Sequence, residues 1–395
     1  MRKKYLAMLM GIFILPSVYA ADIKVPYMAL LTDGHLNEAG AFVLSTRASM
    51  DLLFSGGDKF DAWFSLAFRH PEIEKYMDAA GSIVPGNYED LDDALAAINR
   101  LENASGLHIG TIAIQMNRLF GTPLDLAVFV GHMDNFASGK DFQTLFGSKD
   151  FSTRFKDYMY YPRGIGGDLT KSYNGLHEVY GTGLRLSLPG DNIYPFLYLY
   201  QDSWLGAGQY SADLRSFFTL GPIKLEAFAG VSLPKDIPLA LRTGLLFLFE
   251  ASEIGEFYAQ IGIPYWNPEE PFKMDLFYFM FEPRILFGFG EFVISLFFHP
   301  AVYLQQKTNE SGAIELRFNL GFGKTEEGKA HFGLETQLDY NPNLHSNSLV
   351  FDIAPYLEFV KNGVRWDIRF VSQALPFSSP WYGMFRPMLG VSTAF

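Results

Sequence analysis

From Leu176 to the C-terminus the chain is written in segments of about ten residues that alternate apolar and polar positions. Ile314, Leu316, Phe318 and Leu320 alternate with Glu315, Arg317 and Asn319. Phe332, Leu334, Leu338 and Tyr340 oppose His331, Glu335, Gln337 and Asp339. Val364, Trp366, Ile368 and Phe370 oppose Arg365, Asp367 and Arg369, and Ile223, Leu225, Ala227 and Val231 oppose Lys224 and Glu226. Successive side chains of a strand point to opposite faces, so a period of two predicts strands with one greasy and one ionisable face. Beyond the N-terminus no run of apolar residues is long enough for a membrane helix. The greasiest stretch, Phe277 to Phe298, is interrupted by Glu282, Arg284 and Glu291, and divides into two strands at Gly288-Phe289-Gly290.

The period predicts about thirteen strands, near 176–188, 193–202, 210–220, 223–233, 237–250, 256–265, 274–287, 291–304, 313–323, 329–340, 348–360, 363–373 and 384–395. Their connections alternate in length. Tight ones fall at Pro189–Asn192, Gly221-Pro222, Gly288–Gly290, Lys324–Gly328 and Lys361–Gly363. Longer ones fall at Ser203–Gln209, Trp266–Lys273, Gln305–Gly312, Asn341–Asn347 and Ala374–Gly383, with intermediate ones near 234 and 252. A soluble sandwich has no reason to alternate in this way. The last segment, Phe385 to Phe395, reads FRPMLGVSTAF: Phe385, Leu389, Val391 and Phe395 share one parity, and Arg386, Gly390, Ser392 and Ala394 the other.

With this closing strand, its terminal aromatic and the alternation of turn lengths, the chain resembles the bacterial outer-membrane β-barrel proteins. The resemblance is one of pattern, not of a specific family motif. It implies an all-β fold, a closed antiparallel transmembrane β-barrel of about 16–18 strands, in the outer membrane of a diderm bacterium. It also implies that Phe395 is part of a signal read by the barrel-assembly machinery, and that the short turns are periplasmic and the long loops external. Tyr200, Trp204, Tyr210, Tyr265, Trp266, Tyr303, Tyr340, Trp381 and Tyr382 then fall near external strand ends, where amphipathic rings favour the interface. Pro195, Pro283, Pro300, Pro355 and Pro387 stand against the assignment, since each removes a ladder donor; bulges or strand ends are expected there.

The first half is less regular. Residues 1–20 read as a signal peptide: Arg2, Lys3 and Lys4, an apolar core from Tyr5 to Leu15, and Val18-Tyr19-Ala20 before cleavage between Ala20 and Ala21. Residues 21–39 read as an N-terminal lead without strong periodicity, and 40–395 as the barrel. Phe42–Phe54, Phe60–Phe68, Leu107–Asn117 and Leu124–His132 read as strands, with a further one near Phe151–Tyr161. Within 71–106 helical spacing appears, as at Leu91, Ala94, Leu95, Ile98 and Leu101, and predicts a small helical insert that either caps one end or plugs the barrel. Residues 134–175 read as irregular or as a long loop.

Function follows from the two faces. Arg or Lys at mid-bilayer on a lipid face costs roughly 2–4 kcal/mol, so the ionisable parity must be the inner one. Arg185, Arg215, Lys224, Glu226, Arg242, Glu282, Arg284, Glu315, Arg317, Glu335, Arg365, Asp367 and Arg369 are therefore expected to line the lumen. Two readings stay open: an aqueous channel whose opposed charges set up a transverse field, or a packed network of salt bridges. Tyr194, Phe196, Tyr198 and Tyr200 share a parity, and are expected to sit at an interface rather than to form an inward aromatic slide. The chain has 43 Asp plus Glu against 31 Lys plus Arg, which disfavours nucleic acid as a partner. Cysteine is absent, the eight His are scattered without an HExxH, and no cofactor motif occurs. The expectation is a non-enzymatic, porin-like channel for small polar solutes, with outer-membrane lipid around it. The alternatives are an importer of apolar compounds, similar to the outer-membrane fatty-acid transporters, and a surface adhesion or structural barrel. Solute and oligomeric state are left open.

Overall fold

The computed structural model describes residues 22–36, 40–56, 60–70, 107–137, 176–235, 239–251, 254–303, 306–307, 311–344, 348–377 and 381–393. The helical insert expected at 71–106, the strand expected near Phe151–Tyr161, the signal peptide with Ala20 and Ala21, and Phe395 lie outside the described residues.

The first five strands are β1 (Asp22–Leu36), β2 (Phe42–Gly56), β3 (Phe60–His70), β4 (Leu107–Met116) and β5 (Asp125–Phe136). Next come β6 (His177–Ser187), β7 (Ile193–Asp202), β8 (Tyr210–Leu220), β9 (Ile223–Leu233), β10 (Ala240–Glu250) and β11 (Gly255–Trp266). β12 (Tyr278–Phe287) and β13 (Gly290–Phe298) follow, then a small hairpin of β14 (Val302–Tyr303) and β15 (Gln306–Lys307). The chain ends with β16 (Ile314–Gly323), β17 (Ala330–Tyr340), β18 (Leu349–Lys361), β19 (Val364–Leu375) and β20 (Phe385–Thr393). Among the described residues, leaving out the small hairpin, eighteen strands form one sheet. Each pairs antiparallel with the next in sequence, β13 passing directly to β16. β1 also pairs antiparallel with β20, from Met28 opposite Thr393 to Asp33 opposite Met388.

Two expectations need correcting. Residues 21–39 are not a lead that precedes the sheet, because Asp22–Leu36 is a full strand held by β2 on one side and β20 on the other. Its weak periodicity has a visible cause: Pro26 falls where the β1–β2 register shifts, between Lys24 and Tyr27, and a bulge moves the later residues to the other face. The irregular stretch placed at 134–175 begins too early, since β5 runs to Phe136 through a register shift between His132 and Asp134.

The prolines obey the donor rule, but not chiefly through bulges. Pro300 lies outside the strands and Pro195 is the third residue of β7. Pro283 and Pro355 sit inside β12 and β18. There the β12–β13 and β18–β19 pairings lapse, at Glu282-Pro283 and Ala354-Pro355, and resume in the same register. Each ladder thus loses a rung on the side the missing N–H would have served. Pro387 follows the same logic, paired with Phe370 on β19 and lying just past the last β1 pairing at Met388.

Connection length alternates from one end of the sheet to the other. One of the two-residue connections is Asn362-Gly363 between β18 and β19, with φ of 54° and 73°. Both central residues of a type I′ hairpin turn require positive φ, which Asn and Gly tolerate. The Glu327 carboxylate caps this turn, accepting from the Asn362 N–H at 2.7 Å and the Gly363 N–H at 3.2 Å.

Burial sorts the two parities. Along β17, Phe332 and Leu334 are 54% and 43% exposed, whereas His331, Glu335 and Gln337 are buried. The same alternation holds on β7, β8, β16, β18 and β19. The sheet therefore turns its aliphatic and Phe rows outward and its ionisable rows inward, the reverse of a soluble sandwich core. Rings gather at the outward strand ends. Tyr210, Tyr340, Trp381 and Tyr382 are exposed at the long-connection end. Phe287, Phe289 and Phe322 cluster at the short-turn end, with Phe332 in contact with Phe322.

Candidate functional site: the inward face

The inward side chains are bound to one another in networks that lie flat on the wall. Residues i and i+2 of one strand share a face, close enough for an Arg to reach a carboxylate. Three of the expected pairs are of this kind. Arg284 meets Glu282 at 2.8 Å, Arg317 meets Glu315 at 3.0 Å, and Arg369 meets Asp367 at 2.8 Å. The others bridge nearby strands. Arg215 Nε donates to Glu226 at 2.8 Å, Lys224 to Glu250 at 2.7 Å, and Arg242 Nε to Asp213 at 2.6 Å. Arg185 donates to Asp134 at 3.0 Å and to Gln115 at 2.7 Å.

The densest node surrounds Arg369. Its guanidinium meets Glu335, meets Glu358 at 3.1 Å, and closes on Asp367 with two bonds. Arg365 adds a contact to Glu358 at 2.8 Å and is the most accessible of the expected inward cations, with a side chain 36% exposed. A second node lies on β6 to β10. Tyr200 donates to Asp213 at 2.9 Å, His177 lies 3.4 Å from the same carboxylate, and Ser211 donates to Asp202 at 2.6 Å.

Of the residues expected on the wet face, Arg215, Glu226, Arg242, Glu282, Glu315, Arg317, Glu335, Asp367 and Arg369 are buried; Arg185, Lys224 and Arg284 are nearly so. The signs are interleaved rather than held on opposite walls, so local pairing cancels much of the transverse field that segregated charges would create. The histidines match no metal motif in the sequence. Yet His177, His299 and His331 each turn inward against a carboxylate: Asp213, Glu315 and Glu358 at 3.4, 3.6 and 3.6 Å. Parity was the usable signal for His331, which alternates with Phe332. His177 opens its strand, where no pattern precedes it. Among the described residues no group of His, Asp or Glu could hold a metal ion.

The aromatic strand β7 departs from expectation. Phe196, Tyr198 and Tyr200 are buried and face inward, instead of lying at an interface. Their phenols explain the facing, because Tyr198 and Tyr200 both donate to inward carboxylates, Asp134 at 2.8 Å and Asp213 at 2.9 Å. Around them lies an inward aromatic cluster. Phe136 contacts Tyr198 and Phe228 with ring centroids 5.3 and 5.0 Å apart, and Arg215 stacks over Phe217 at 4.4 Å. The end of β5 and the start of β6 reach across to other strands. The Ala137 N–H donates to Glu226 at 2.6 Å, and Gln260 donates to the Ala137 carbonyl at 2.7 Å. Leu176 lies over Gly244 and Gly262, paired glycines of β10 and β11 where an added Cβ would collide with it.

Comparison with solved structures bears on this architecture. OccAB4 of Acinetobacter baumannii superposes with a TM-score of 0.50 at 11% identity, over 96% of this chain and 100% of that one. The chain has an outer-membrane β-barrel fold. A mutant of the Rh. blastica porin aligns over 95% of this chain and 100% of its own, with a TM-score of 0.48 and 8% identity. OmpT, an outer membrane protein of Vibrio cholerae, aligns over 97% and 100%, with a TM-score of 0.39 and 11% identity. No protein-family model and no curated protein matches the sequence of this chain.

Proposed function

We propose that this protein is an outer-membrane channel of a diderm bacterium that passes small polar solutes through a narrow, side-chain-lined path. The single observation behind the reading is the sorting of the sheet: apolar rows outward, ionisable rows inward, in a ring of pairings that runs from β1 to β20 and back. A sheet in lipid must leave no edge, because an unpaired backbone group there costs several kcal/mol. We therefore take the ring as a closed barrel of eighteen strands, its short turns and both described ends on the periplasmic side. The ionisable residues named above then line the lumen. Because most of them are paired and buried, the path is constricted where these networks lie, unlike a wide aqueous pore.

The closing strand β20 serves in this reading as the segment handled by the assembly machinery. The inward cluster of Phe136, Tyr198, Phe217 and Phe228 favours a second reading, an importer of apolar compounds that moves its cargo along aromatic surface. Planar-bilayer recording of the purified protein separates the two. The channel reading predicts stepwise openings with small unitary conductance. A correctly folded barrel that inserts and stays electrically silent would reject it in favour of the importer.

A further inference from the structure

The long connection between β11 and β12 folds back over the outward face of the sheet. Met274–Leu276 makes one turn of 3₁₀ helix that lies against β11. The Ala301 N–H ties it to the next long connection by donating to the Asp275 carbonyl. Rings brace the same stretch: Trp266 meets Phe272, and Phe272 meets Phe277, edge to face, with centroids 5.7 and 5.5 Å apart. Under this overhang runs a row of side chains. Ile261, Phe279, Phe298 and Ile314 are consecutive partners across β11, β12, β13 and β16. The row is an outward one, since the adjacent residues Gln260, Met280, Phe297 and Glu315 are buried on the inner face. Met274 and Phe277 close over the row and leave a groove of about 360 Å³, with Leu296 also in its lining.

Every residue lining the groove is apolar. A water inside it would find none of the polar side chains it needs as partners. Left empty, the groove would cost its lining the dispersion contacts on one side. It opens on the face that meets hydrocarbon, so membrane lipid is the material at hand to fill it. Transfer from lipid to groove brings little hydrophobic gain, because lipid tails are as apolar as the lining. The preference comes instead from packing against a shaped surface, to which the Met274 thioether adapts. Met274 is 72% exposed and stands out from the wall, so a second barrel would rest on it, whereas a flexible chain can follow the space behind it. Charges at the lip are mixed, with Lys273 beside Glu269 and Glu270, so recognition rests on the chain rather than on a headgroup.

Resting on the outward rows meeting lipid, and not on conduction, we propose that this groove is a discrete site for one acyl chain of an outer-leaflet lipid. It holds that chain more tightly than the smooth outward face elsewhere on the barrel.

The test uses the full mature chain in detergent with one equivalent of a phosphatidylethanolamine carrying a diazirine on its acyl chain, irradiated and mapped by peptide mass spectrometry. Labelling at Phe279 and Leu296 is expected to exceed that at Leu334, an outward residue of β17, by about tenfold. Ile261→Trp fills the groove while keeping the face apolar, and is expected to bring labelling there down to the Leu334 level. Equal labelling at the groove and at Leu334 in the wild type overturns the site, as does labelling unchanged by Ile261→Trp. A dimer by mass whose groove takes no label overturns lipid as the occupant in favour of a second copy. Labelling absent from both places overturns the site together with the lipid-facing assignment. A barrel that is electrically silent in planar bilayers yet labels in the groove leaves the site standing and removes the channel reading alone.

Discussion

Arg369 concentrates the electrostatics of the inner wall in one side chain. It is fully buried and touches Glu335, Glu358 and Asp367, which face it from β17, β18 and its own strand. A buried ion pair is weak evidence of net stabilisation, since desolvation offsets the attraction; removing one partner is a different matter, because it strands the other charges. Arg369→Met is therefore predicted to lower stability by about 3–5 kcal/mol, read as a fall in the urea midpoint of the refolded protein. A loss of only a few tenths would mean that the carboxylates are already satisfied by water or by one another. The inward parity of Arg369 and Asp367 was readable from Trp366, Ile368 and Phe370 alone. Their convergence with Glu335 was not, because alternation fixes the face of each residue and not the register between strands. The phenols of Tyr198 and Tyr200 show the same limit, since an aromatic suits an interface or an interior equally well until a hydrogen-bond partner is known.

At the scale of the strand, β17 states the rule most cleanly, with outward Phe332 and Leu334 against inward His331, Glu335 and Gln337. Leu334 lies near the middle of this strand, so Leu334→Arg is predicted to destabilise the inserted barrel by roughly 2–4 kcal/mol, measured by reversible unfolding from lipid vesicles. An effect below about 1 kcal/mol would place Leu334 near an aqueous boundary. Strands from β6 onward were legible because alternation and turn residues agreed: Asn362-Gly363 breaks two alternating runs where a type I′ turn is needed. The earliest strand was missed for a local reason. Pro26 sits where the β1–β2 register slips, so a period of two does not persist through Asp22–Leu36. Prolines inside β12, β18 and β20 looked like evidence against strands, yet a strand between two neighbours keeps one complete ladder when the other loses a rung.

For the whole molecule, fold class was legible because it depends on statistics over many strands, while the state of the interior depends on contacts between distant ones. Ala137 is joined to Glu226 of β9 and to Gln260 of β11 only when the sheet curls. The central claim is that the outward rows meet hydrocarbon. Because the chain contains no cysteine, every introduced one is unique. Spin labels placed singly at Phe332, Leu334, Thr336 and Leu338, and at Gly333, Glu335 and Gln337, in vesicle-inserted protein would report accessibility to oxygen, which concentrates in lipid. The account predicts high oxygen accessibility at the first set and low at the second, alternating residue by residue. A flat profile, or one with the two sets exchanged, would contradict it.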